Sequence, residues 1–169
     1  ELMCTHGSSG INSSVYKSVA HQRSSSNYSP IVQALIKDDK CPAIIFCMSR
    51  KGCVHAAGTV TKNLMLNPAP VRKANPDITD EEFEELLTEH STEVRTYEER
   101  WRTLYNRNLH LHHDAISTLP HWEIWISALK RGIAYHHAGM VPILREFVEL
   151  LFQAKMLKVV FATETLGVG

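Results

Sequence analysis

At 169 residues, 44% of them hydrophobic, the chain has room for one ordinary domain with a sizeable core and is too apolar to be read as disordered. Its 18 basic and 18 acidic residues cancel, which excludes a global positive field and leaves any polyanion to be held by local groups. No apolar run approaches the roughly 20 residues of a spanning helix, and no basic-then-apolar leader opens the chain, so a soluble, intracellular protein without membrane contact is expected.

From Gly7 to Ser29 the sequence is rich in Ser, Gly, Asn and His, with Ser24-Ser25-Ser26-Asn27 at its centre. Such a stretch cannot bury a core, and residues 1–28 read as a flexible linker or surface loop. Ser29-Pro30 then supplies a helix start, with Ser29 as cap, Pro30 at the first helical position, and Ile31, Ala34, Leu35 and Ile36 on the apolar face. After Pro42, the run Ala43-Ile44-Ile45-Phe46-Cys47-Met48 predicts a strand buried on both faces. Ser49-Arg50-Lys51-Gly52 reads as a polar turn at its carboxyl end. A helix is expected from Cys53 to Leu66, where Val54, Ala57, Val60 and Leu64 recur at helical spacing.

Asn67-Pro68-Ala69-Pro70 breaks the pattern, and Thr79 with Glu82 has the spacing of a capping box. Residues 80–130 are mostly helical in pattern, with Phe83, Leu86 and Leu87 as one apolar cluster and Trp101, Leu104 and Tyr105 as another. The acids around Asp80 to Glu85 read as a solvated face near a helix start, where negative charge is favoured. Two metal readings fail on spacing. Cys41, Cys47, Cys53 and His55 lack the short paired knuckles of zinc sites, and neighbours within His110-Leu111-His112-His113-Asp114 point in different directions on a helix. The four cysteines, Cys4 among them, fit reduced core thiols in a reducing compartment.

A short strand is expected before His136-His137-Ala138-Gly139. Pro142 then opens an amphipathic helix with Ile143, Phe147, Leu150 and Leu151 on one face and Arg145, Glu146 and Glu149 on the rest of its surface. Leu157 to Phe161 is the next buried strand, followed by the threonine and glycine loop Ala162-Thr163-Glu164-Thr165-Leu166-Gly167-Val168-Gly169. Strand, helix and strand in close order imply a right-handed parallel crossover, with the loop at the carboxyl end of the sheet, where open α/β folds bind phosphorylated ligands.

Three blocks in order, Phe46-Cys47-Met48-Ser49-Arg50-Lys51, Gly132-Ile133-Ala134-Tyr135-His136-His137-Ala138-Gly139-Met140-Val141-Pro142-Ile143-Leu144 and Phe161 to Gly169, resemble the second RecA-like domain of superfamily two helicases. The likeness is greatest to the superkiller group, the exosome-associated RNA helicases, and it covers Ser29 to Gly169 with little contribution from residues 67 to 128. It implies an α/β, RecA-like, three-layer parallel sheet, incomplete at its carboxyl end, with a helical insertion at about 76–130. It also implies that Ser49, Arg50, His136, His137, Gly139 and Thr163 line a surface for single-stranded RNA or DNA, and that Gly167 and Gly169 couple this grip to the nucleotide.

Hydroxyls, glycine-exposed amides and Arg50 can hold phosphate oxygens without reading bases, as a motor moving along any sequence requires. Taken singly, Ser49-Arg50-Lys51 is an ordinary polar loop, and His136-His137 is a packed pair as readily as a ligand site; the ordered set carries the reading. The chain has no Gly-Lys-Thr phosphate loop, no Asp-Glu metal pair of the kind the first RecA-like domain provides, and no arginine-rich motif VI. ATP and magnesium are therefore expected only in the full-length protein, no catalytic residue or metal ligand is assigned, and hydrolysis by this segment alone is not expected. The first RecA-like domain and RNA-decay proteins are the implied partners. Two rivals remain open here, a degenerate module that binds RNA or protein without turnover, and a DNA repair helicase.

Overall fold

A computed structural model describes residues 27–163; Cys4, nearly all of the 1–28 stretch, and Gly167 and Gly169 lie outside the described residues. Three strands, β1 (Ala43–Phe46), β2 (Ile133–His136) and β3 (Val159–Ala162), form one parallel sheet in the order β1-β3-β2. Six α-helices accompany them among the described residues: α1 (Ser29–Lys37), α2 (Arg50–Gly58), α3 (Asp80–Asn108), α4 (His113–Ile116), α5 (Trp122–Lys130) and α6 (Pro142–Gln153).

β3 is central because its residues can be apolar on both faces. Val159, Phe161 and Val160 are completely buried, and each such side chain contributes about 1.5–3 kcal/mol relative to exposure. Alternation sends Val159 and Phe161 into one cluster with Val32 of α1 and Cys53, Ala56 and Ala57 of α2. Val160 joins the opposite cluster, with Leu144, Phe147, Val148 and Leu151 of α6, Trp101 of α3, and Trp122, Trp125 and Leu129 of α5. Helices on both faces of a parallel sheet give the three layers expected of part of a RecA-like fold.

Several boundaries differ from the sequence expectation. β1 ends at Phe46, two residues early, and is an edge strand, so Phe46 is 61% exposed instead of buried on both faces. β3 starts at Val159, because Leu157 and Met156 already serve the core from the preceding turn. Helix α1 takes Tyr28 as its cap, with Ser29 inside the helix donating its hydroxyl to the Thr59 carbonyl at 2.8 Å. Its buried residue is Val32, one step round from the expected Ile31, Ala34 and Leu35 face.

Helix α2 shows the largest shift. It begins at Arg50 and ends at Gly58 because Ser49 is an N-cap, its Oγ accepting the Gly52 N–H at 3.0 Å. The residues from Thr59 to Leu66 are not helical, though Val60 is buried and the Leu64 N–H reaches the Arg131 carbonyl at 2.9 Å.

The 29-residue α3 opens on the expected capping box, Thr79 with Glu82. Its acidic first turn is exposed, and so is Leu86, which leaves Phe83 partly covered beneath the Arg72 guanidinium, 4.8 Å from the ring centroid. Trp101 is the buried residue of this helix and meets Phe147 edge to face at 5.8 Å.

The two turns that feed β2 and β3 are set by helix ends. Gly132, at φ 85°, follows α5 in the left-handed conformation, and a Cβ there would lie 2.7 Å from Met65 Cγ. After α6, Lys155 takes φ 56°, with Lys155 N–H on the Phe152 carbonyl and Met156 N–H on the Leu151 carbonyl, a Schellman end that drops Met156 into the core. No described helix is long and apolar enough to cross a membrane.

Candidate nucleic-acid interface

The parallel register aligns Phe46, Ala162 and His136 across the sheet. The segments that follow them, Cys47 to Arg50, Thr163, and His137 to Gly139, therefore leave the sheet at one carboxyl edge. Backbone hydrogen bonds tie the exits together: Cys47 N–H donates to the Ala162 carbonyl at 2.8 Å, and Thr163 N–H to the His136 carbonyl at 3.3 Å. The topology thus gathers residues more than one hundred positions apart in sequence, as Ser49 and Thr163 are.

Within this edge, Arg50 lies directly over Gly139. A Cβ on Gly139 would stand 3.0 Å from Arg50 Nη1 and 3.3 Å from its Cδ, so glycine makes room for the guanidinium. The Gly139 N–H donates to His137 Nδ1 at 3.1 Å, and the His137 ring stacks on Tyr135 with centroids 5.8 Å apart and planes 9° from parallel. Burial pushes the Tyr135 phenol above its ordinary range, so the phenol stays neutral. Arg50, Lys51, Val54, His55 and His137 line a shallow open groove of about 430 Å³.

The first turn of α2 contains no acid and carries Arg50 and Lys51 instead. Cations there oppose the helix dipole locally, yet they add to the positive end formed by the free backbone N–H groups. The result is a small positive surface on a chain with no net charge, suited to phosphate oxygens. Beneath it, Cys47 and Cys53 flank the loop. Burial, with the neighbouring Cys47 thiol contributing, pushes Cys53 up to about 12, which leaves it an inert neutral packing group.

The adjacent histidines separate. His137 is part of the open groove, whereas His136 is 3% exposed and its Nε2 donates to Glu149 Oε1 of α6 at 2.9 Å. Successive strand side chains face opposite ways, and His136 faces the α6 layer. It therefore does not line the surface on which the sequence placed it. Ser49 is at the edge, but its Oγ is engaged in capping α2. Lys51, His55, Tyr135 and Glu149 were not singled out as site residues. The i, i+4 spacing of Lys51 with His55 and the i, i+2 spacing of Tyr135 with His137 carried the signal for three of them.

Among the described residues no three His, Cys, Asp or Glu side chains converge on a metal-sized site.

A three-strand parallel sheet with helices on both faces and a basic, glycine-opened carboxyl edge defines the class of fold: an α/β unit that matches part of a RecA-like fold. No family model matches the chain. It is 33% identical over 144 residues to the exosome RNA helicase MTR4 of Mus musculus, covering 85% of this chain and 11% of that protein. With the DExH-box ATP-dependent RNA helicase DExH10 of Arabidopsis thaliana it shares 32% identity over 139 residues, 82% of this chain and 11% of the relative. The probable helicase HelY of Mycobacterium tuberculosis is 36% identical over 139 residues, again 82% of this chain and 13% of the relative. The chain belongs to the superkiller-type DExH helicases, as a sequence homologous to one segment of them. It spans about a tenth of the length of the curated relatives it matches.

Proposed function

We propose that this chain is the part of an ATP-dependent RNA helicase that grips the strand backbone and relays the nucleotide state to that grip. The observation that carries the reading is the meeting of Arg50, His137, Gly139 and Thr163 at one sheet edge. Arg50 supplies a charge-assisted contact, His137 a hydrogen bond or a stacking face, and Thr163 a hydroxyl next to the exit of the central strand. None of these groups reads base edges, as a motor that steps along any sequence requires.

In sequence, Thr163 leads into the segment that holds Gly167 and Gly169. In this reading ATP, with magnesium, is bound and hydrolysed elsewhere in the intact polypeptide, and domain closure reaches the strand through that segment. RNA is the preferred substrate, since several of the relatives are described as RNA helicases, and RNA-decay complexes are the proposed partners.

The test is Thr163→Ala in the intact polypeptide. RNA-stimulated ATP hydrolysis should fall roughly ten-fold, the scale of about 1.4 kcal/mol expected for one lost contact to a charged phosphate, while nucleotide affinity holds. Unchanged stimulation by RNA contradicts the assignment, and stimulation by DNA alone replaces RNA as the substrate.

A further inference from the structure

His136 stands at the centre of the candidate edge without reaching its surface. Its carbonyl holds the Thr163 N–H at 3.3 Å, its backbone pairs in register with Ala162, and the His137–Gly139 turn begins at the next residue. Any rotation of this residue moves both exits at once. The residue is 3% exposed, and its Nδ1 is buried with no hydrogen-bond partner among the described residues, so within them the ring has one polar attachment, from Nε2 to Glu149.

Glu149 is well placed to be a fixed post. It lies on α6, whose Leu144, Phe147, Val148 and Leu151 are all buried against the sheet and which Pro142 starts at a defined point. The Glu149 side chain is itself only 24% exposed. Removing it would leave both ring nitrogens of His136 buried and unpaired, and a buried polar group without a partner reorients or draws in water.

We propose that Glu149 is a positioning residue for strand binding: through the 2.9 Å bond to His136 it sets the end of β2, and with it the relative placement of Thr163 and the His137–Gly139 turn that seats Arg50. The proposal rests on the reading of this edge as a strand grip. It assigns no phosphate contact to Glu149, a carboxylate that would repel one.

The experiment measures single-stranded RNA affinity of the intact polypeptide across a salt series, alongside thermal melting, for Glu149→Leu, Glu149→Asp, Glu149→Gln and Arg50→Ala. Glu149→Leu should raise Kd roughly five- to ten-fold at a temperature where the protein is folded, with the salt slope unchanged, because no phosphate contact is lost. Glu149→Gln keeps an acceptor oxygen and should bind within about two-fold of wild type. If the leucine variant does not fold, Glu149→Asp decides: it retains the charge but withdraws the carboxylate by one carbon, and a rise of roughly two- to five-fold in Kd is expected.

Wild-type affinity in both the leucine and the aspartate variants, or in the aspartate variant alone if leucine does not fold, overturns the positioning role, whatever their melting temperatures. Wild-type affinity and salt slope in Arg50→Ala would instead overturn the reading of the edge as a phosphate grip. The two failures are therefore separable.

Discussion

Two regions of this molecule carry dense charge, and they are built in opposite ways. The amino half of α3 concentrates acids along an exposed stretch of a helix whose one buried residue, Trp101, lies far down its length. The sheet edge has fewer charges, but the register of three strands brings Arg50, Gly139, His137 and Thr163 together. Charge on that solvated face acts locally, in the Thr79–Glu82 capping box and the Arg72–Asp80 pair, and is screened within about 10 Å. Charge held against a glycine at the end of a buried strand has a fixed position and can be part of a site.

That contrast can be broken at its strongest joint. Trp101→Ala removes the aromatic contact with Phe147 and should cost about 3–5 kcal/mol of stability, read as a large fall in Tm. RNA affinity measured below the lowered transition should stay at the wild-type value, since Trp101 holds the α3 layer and not the edge. Affinity that falls along with stability would mean that the two regions are one functional unit.

A smaller effect sharpens the other side. In Gly139→Ala the new Cβ would press on Arg50 Nη1 and His137 Nδ1, at 3.0 and 3.2 Å. Both are side-chain atoms able to give way, so folding should be barely altered. The displaced guanidinium should weaken RNA binding by roughly two- to five-fold, about 0.5–1 kcal/mol. Unaltered binding would separate Gly139 from the grip.

How far the sequence led differs along the same line. β3 and α6 were legible because their signals are strong and local: a continuous apolar run for the central strand, and a proline followed by a 3.6-residue apolar period for the helix. The capping box at Thr79 was equally plain. Helix α2 starts three residues before the apolar period that marks it, because its first turn, Arg50-Lys51-Gly52, is polar and has the composition of a turn, and the cap is Ser49. Phe46 is exposed against expectation because apolar residues at the end of an edge strand look the same in sequence as those in a central one.

The pair His136-His137 gives the clearest case. Strand alternation requires that the two face opposite ways, but only the packing of α6 determines which one is buried, and Glu149 became visible only through that packing. The convergence of three motifs required the parallel order β1-β3-β2, which local sequence patterns do not specify.

The central claim is that Arg50, seated on Gly139, holds a phosphate of a bound strand, and the salt dependence of single-stranded RNA binding tests it most directly. Replacing Arg50 by alanine should reduce the magnitude of the slope of log K against log salt by about 0.7, one phosphate's share for a single strand, and weaken binding most at low salt. A wild-type slope with wild-type affinity would contradict it.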